Sequence, residues 1–111
     1  MRVFNIKNFT NGWFVGLFTP SLIKSSEIEV AHQFHKRGTV STPHYHIQSQ
    51  EISYVVTGKA YVSGEIIEAG NGWIYQAYEN SDVVFLEDTN LIVVRNPSVN
   101  DKVLGVYKRR E

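Results

Sequence analysis

Three side chains carry the chemistry this sequence offers most directly: His44, His46 and Glu51. In an extended chain residues i and i+2 point to one face, so His44 and His46 present two imidazoles side by side. Glu51 opens the next apolar run after a short connection, where an antiparallel neighbour brings its carboxylate beside them. Two neutral imidazoles and one carboxylate suit a borderline divalent ion, and they do not choose among Fe, Zn, Mn and Ni. Without an ion, a buried Glu beside two imidazoles needs compensating hydrogen bonds or a raised pKa, so metal is the simpler expectation. The alternative is a barrel that keeps these residues and holds no metal.

The elements that must position these groups read as strands. No stretch keeps helical periodicity over three turns; short β-branched and aromatic runs recur instead, punctuated by Gly, Asn, Ser and Asp. Strands are expected at 13–18, 27–36, 51–57, 59–63, 65–68, 73–77, 82–87, 91–96 and 102–107. Turn signals separate them at Thr57-Gly58, Ser63-Gly64, Gly70-Asn71-Gly72, Asp88-Thr89-Asn90 and Asn96-Pro97. Many short strands at such spacing imply an all-β sandwich or barrel. With 111 residues and no repeat or linker, one domain covers residues 1–111. The first dozen residues are free to pair as a strand within the barrel or to swap onto a neighbouring subunit.

Composition removes several classes of function. Eleven basic residues balance eleven acidic ones, which takes away the usual electrostatic case for nucleic acid or an anionic membrane. That neutrality also leaves little charge repulsion against self-association, so a homodimer is easy to accept. With no cysteine, neither a disulfide nor a thiolate ligand or nucleophile is available. The N-terminal residues lack the apolar run of a signal peptide, and the most apolar patch, 13–18, is far too short to cross a bilayer. A soluble, cytoplasmic protein is the expectation. Lys108-Arg109-Arg110 reads as a short solvated tail and not as a nucleic-acid patch.

The segment from Gly38 to Gly58 resembles the first motif of the cupin superfamily: Gly, five residues, His-x-His, three or four residues, Glu, six residues, Gly. Every fixed position is met. The resemblance implies an all-β cupin fold, a double-stranded β-helix related to the jelly roll, with His44, His46 and Glu51 as metal ligands. The second cupin motif is met only in part. Gly70 begins it, but Gln76-Ala77-Tyr78 stands in place of Pro-x-Gly, Ser81 falls at the position of the usual fourth ligand, His, and Phe85 at that of Asn. Asp82 is one residue off register, where a bulge would turn it inward as a replacement. Gly12-Trp13-Phe14-Val15-Gly16, Pro20-Ser21, Glu29-Val30-Ala31 and Asn96-Pro97-Ser98 are similar to a group of compact cupins of bacteria and phages; small cupins commonly form homodimers.

Around the three ligands, His32, Gln50, Tyr75, Tyr78 and Phe85 are the pocket-lining candidates. His32 and His35 lie on opposite faces of one strand, so at most one points inward. His32 shares the more apolar face with Val30 and Phe34, whereas His35, beside Lys36 and Arg37, is expected to be exposed. Aromatic residues of a small barrel more often serve core or dimer interface than ligand. Candidate acids or bases are Tyr75, Tyr78, His32 and Asp82. The expected function is a metal-dependent enzyme acting on a small polar metabolite, with a non-catalytic binder of a sugar-like ligand and a metal-free structural dimer as alternatives.

Overall fold

Burial alternates with period two along the long strands, and this decides which side chains meet inside. The computed structural model describes residues 1–109; of the basic tail, Lys108 and Arg109 are exposed and Arg110 lies outside the described residues. The strands are β1 (Trp13–Val15), β2 (Glu29–His35), β3 (His44–His46), β4 (Gln50–Thr57) and β5 (Lys59–Val62). They continue with β6 (Glu65–Glu68), β7 (Gly72–Tyr75), β8 (Val83–Phe85), β9 (Thr89–Asn96) and β10 (Lys102–Leu104). Every pairing of named strands is antiparallel. They form a five-stranded sheet in the order β1-β2-β9-β4-β7, a three-stranded sheet β6-β5-β8 and a two-stranded ribbon β10-β3. The all-β barrel expected from the sequence is the architecture observed.

In β9, Thr89, Leu91 and Val93 are buried while Asn90, Ile92 and Val94 are less so. Ala31 of β2, Val55 of β4 and Phe85 of β8 join Leu91 and Val93 in the core, with Trp13, Trp73 and Tyr75 packed against it. The opposite face of the five-stranded sheet is apolar as well. Val30, Val94, Ile52 and Ile74 follow one another directly across four strands, and Ile52 and Ile74 remain exposed.

Three expectations need correction. The first twelve residues form no strand; they make two 3-10 turns, Ile6–Asn8 and Thr10–Gly12, the first capped by the Asn5 side chain on the Lys7 N–H. The runs at 13–18 and 102–107 shorten to three residues each, since Leu17 turns its N–H onto Ser98 Oγ and Gly105 leaves β3 for Pro43. His35, not His32, faces inward: the inner face of β2 is that of Glu29, Ala31, Gln33 and His35, and the His35 ring stacks on Phe85 with centroids 4.2 Å apart. The error has a physical source. With both faces of β2 partly apolar, hydrophobicity alone does not choose the inner one.

Gly58 closes the β4–β5 turn at φ +102°, where an added Cβ would lie 2.4 Å from Thr89 Oγ1 and 2.5 Å from the Asp88 carbonyl. Gly64 also has positive φ but open space around it. Gly64→Ala is therefore expected to cost about 1 kcal/mol and Gly58→Ala about 3 kcal/mol or more, read by urea denaturation; equal losses would show that crowding at Gly58 is relieved by movement.

Candidate functional site

His44 and His46 stand at the two ends of β3, and each is held by its Nδ1. The His46 Nδ1–H donates to Asp101 Oδ1 at 2.8 Å, and the His44 Nδ1–H to the Thr42 carbonyl at 2.7 Å. Because carboxylate and carbonyl oxygens only accept, each ring carries a proton on Nδ1, which leaves Nε2 as the nitrogen a neutral ring offers to a ligand. The two rings lie edge to face with centroids 5.5 Å apart. His46 is buried, and its Nε2 has no hydrogen-bond partner among the described residues. An unpaired polar atom so placed is costly unless something else binds it.

Asp101 is the anchor of this arrangement. Its Oδ2 accepts the N–H groups of Gln48 and Ser49, both at 2.7 Å, while Oδ1 takes the His46 ring. Burial pushes the Asp101 pKa up. The Ser49 N–H, the His46 ring and the Gln48 N–H together outweigh it and bring the pKa down to about 2. Burial lowers the pKa of His44; Lys102 acts in the same direction, against the Thr42 carbonyl and Glu51, which raise it. Burial likewise lowers that of His35.

Glu51, the first inward-facing residue of β4, does not turn fully to the histidines. Its Oε2 lies 3.7 Å from His46 Nε2 but accepts two hydrogen bonds from Arg95, from Nε at 3.0 Å and Nη2 at 2.7 Å. The Arg95 Nη1 donates to Glu29 Oε1 at 2.7 Å, Ser98 Oγ donates to Glu29 Oε2, and the guanidinium lies 4.8 Å from the Trp13 ring centroid. Glu51 Oε1 takes no hydrogen bond among the described residues. Nor, among those residues, do three His, Asp or Glu side chains already converge as a ready-made ligand set. Of the expected trio, His44 and Glu51 border one cavity, His46 lies buried 3.7 Å from Glu51, and Arg95 holds the carboxylate.

That cavity, of about 700 Å³, is bordered by His44, Glu51, Ser53, Trp73, Ser81, Phe85 and Arg95, among others. Of the two proposed replacements for the fourth ligand, Ser81 faces the cavity and its N–H bonds the His44 carbonyl at 2.9 Å. Asp82 is exposed and does not border it. Phe85 lines the cavity as expected. His32 also borders the cavity, with its ring Nε2 3.0 Å from Asn90 Oδ1.

Gln50, Tyr75 and Tyr78 do not line it. Gln50 reaches Asn96, Tyr75 places its hydroxyl 2.6 Å from Ser63 Oγ, and Tyr78 stacks outside with Tyr45 and Tyr107. The sequence reading missed Arg95, Asp101 and His35. Arg95 had a signal, because it continues the inward parity of Leu91 and Val93. Asp101 had none, lying 55 residues from the ring it orients.

No family model matches the sequence, and no curated protein matches it. Solved structures do. KdgF from Halomonas sp. is 27% identical with a TM-score of 0.64, over 68% of this chain and 74% of that one. An uncharacterised conserved protein with a double-stranded beta-helix domain from Klebsiella pneumoniae is 16% identical with a TM-score of 0.71, over 96% and 93%. Oxalate decarboxylase from Bacillus subtilis is 18% identical with a TM-score of 0.64, over 72% of this chain and 24% of that one, so the match spans about a quarter of that enzyme. At such identity the latter two bear on fold alone.

Asp101 gives this site a pH signature. Its folded pKa of about 2 is below the ordinary 3.8, so it favours the folded state above the ordinary value, and the contribution is lost as pH falls through 2. Asp101→Asn is expected to lower stability by about 2 kcal/mol near neutral pH. In chelator-treated protein the gap from wild type should close towards about pH 2; a gap independent of pH would mean that the carboxylate's charge is not what matters.

Proposed function

We propose, taking the chain as a small cupin, that its cavity holds one divalent metal ion through His44 and His46, with Glu51 as third ligand, and serves as a metal-dependent active site for a small polar molecule. The observation that carries this reading is the buried, unpartnered Nε2 of His46, fixed in its tautomer by Asp101. A carboxylate behind a ligating imidazole raises its basicity and sets its direction. His44 offers the same lone pair, and Glu51 retains Oε1 for a ligand while Arg95 holds Oε2. The donor set therefore fits a divalent ion. When bound, such an ion supplies Lewis-acid polarisation of substrate or an activated water.

The chain's own residues do the rest. Asp101 keeps the His46 proton on Nδ1, Arg95 fixes the Glu51 carboxylate, and Trp73 and Phe85 give the cavity an apolar wall that limits water. His35 borders the cavity and is kept neutral by burial, which makes it a better candidate acid or base than Tyr75, Tyr78 or Asp82. A non-catalytic binder is favoured instead by the exposure of Tyr78 and Asp82 and by the engagement of the Tyr75 hydroxyl with Ser63, none of the three bordering the cavity.

Elemental analysis of protein purified without a chelator or affinity tag tests the metal. About one ion per chain is expected, lost in His44→Ala/His46→Ala and unchanged in Asp82→Ala. Metal retained in the double variant, or none taken up after anaerobic reconstitution with Fe(II), Mn(II), Zn(II) and Ni(II), would overturn the assignment.

The uncharged outer face at Val30, Val94, Ile52 and Ile74 supports a homodimer built on this sheet. Sedimentation analysis is expected to show a dimer that Ile52→Lys/Ile74→Lys converts to folded monomer; a monomeric wild type would dismiss it.

A further inference from the structure

The cavity is charged in a way the whole chain is not. Basic and acidic residues balance at eleven each, yet the cavity is bordered by Lys7, Arg95 and Lys102 and by one carboxylate, Glu51. Arg95 is already shared between Glu29 and Glu51. Lys7 and Lys102 form no ion pair among the described residues. They come from unconnected segments. Lys102 pairs directly opposite His46 in the β10–β3 ribbon, so its side chain stands on the same face as that imidazole. Lys7 belongs to the first 3-10 turn of the N-terminal strap, whose Ile6, Phe9 and Asn11 also border the cavity. The strap is fastened by Phe4, whose ring meets those of Phe9 and Phe14 at 5.9 Å each.

A second, independent observation lies deeper. Ser41 Oγ is buried without a hydrogen-bond partner among the described residues, and Ser41 borders the same cavity, as do Ser53 and Ser81. A buried hydroxyl left unpaired is destabilising, and a ligand hydroxyl would satisfy it. Like charges gathered in a cleft with apolar walls focus the field on whatever enters. Small-molecule sites combine such walls with a few polar groups in a volume of this size.

We infer that the cavity recognises a small organic anion bearing hydroxyl groups, a polyhydroxy carboxylate, with Lys102 and Lys7 drawing its carboxylate and Ser41 meeting a hydroxyl. This deepens the reading of the cavity as a ligand site and rests on it. Lys102 and Lys7 attract an anion with or without the metal, which would add to the positive field when bound.

Two matched pairs differ only by oxidation of one alcohol to the acid: D-gluconate with D-sorbitol, and D-glycerate with glycerol. Calorimetric titration of the full chain, in metal-loaded and chelator-treated forms, is expected to show each acid bound at least about tenfold more tightly than its alcohol. Lys102→Met and Lys7→Met should each reduce acid binding several-fold, together about tenfold, and leave the alcohols and the metal content unchanged. Ser41→Ala should weaken acid and alcohol alike. Equal binding of acid and alcohol, no binding of either acid, or undiminished acid binding in the double lysine variant would overturn the inference. Those results alongside one metal per chain would leave the metal reading standing. An acid preference in protein that takes up no metal would reject the metal alone.

Discussion

One row of the central sheet sets the terms for the rest. Arg95 of β9 is directly opposite Glu29 of β2 on one side and Glu51 of β4 on the other. The three charges face inward and lie largely out of solvent, with Trp13 beside the guanidinium. Removing one member of such a buried group strands a charge and typically costs about 3–5 kcal/mol. A shift of β9 by one residue would carry Arg95 to the outer face and leave both carboxylates alone. Pairing charge with charge across three strands thus pins the register, and with it the positions of Val93, Ala31 and Ser53 in the adjoining inner row.

The same row sets the chemistry of the cavity. Arg95 fixes where Glu51 stands relative to His46 while occupying one of its oxygens, so carboxylate placement and ligand capacity are bound together. The histidines obey a separate constraint. Their orientation comes from Thr42 and from Asp101, whose own position depends on two backbone N–H groups in the loop between β3 and β4. Two polar networks, one in the large sheet and one at the ribbon, meet at 3.7 Å between His46 and Glu51.

Much of this was legible from residue types. Period-two alternation gave most strands, and the His-x-His spacing with Glu51 picked out three side chains of which His44 and Glu51 border the cavity. Hydrophobicity failed where both faces of a sheet are apolar: Val30 and Phe34 made the outer face of β2 look like the inner one, so His35 was misplaced. The second motif was ambiguous between Ser81 and Asp82 because backbone bonding, Ser81 N–H to the His44 carbonyl, decides which side chain faces in. Asp101 and Lys102 reach the site through the pairing of β10 with β3, a contact between segments more than fifty residues apart that no local pattern announces. The N-terminal turns were missed because their apolar residues pack on a cavity rim and so keep no strand alternation.

The ribbon β3–β10 is a sheet of its own, three residue pairs long, and it carries both imidazoles; Glu51 belongs to the large sheet. Short ladders with few internal hydrogen bonds are among the first parts of a fold to open locally. Whatever bridges His44 or His46 to Glu51 therefore acts as a rivet between two pieces that the backbone joins only weakly. Amide protons of the ribbon would exchange early in the free protein and late in the occupied one, while those of β2, β9 and β4 would scarcely notice. Occupancy of this site and rigidity of the ribbon are, in that sense, one quantity.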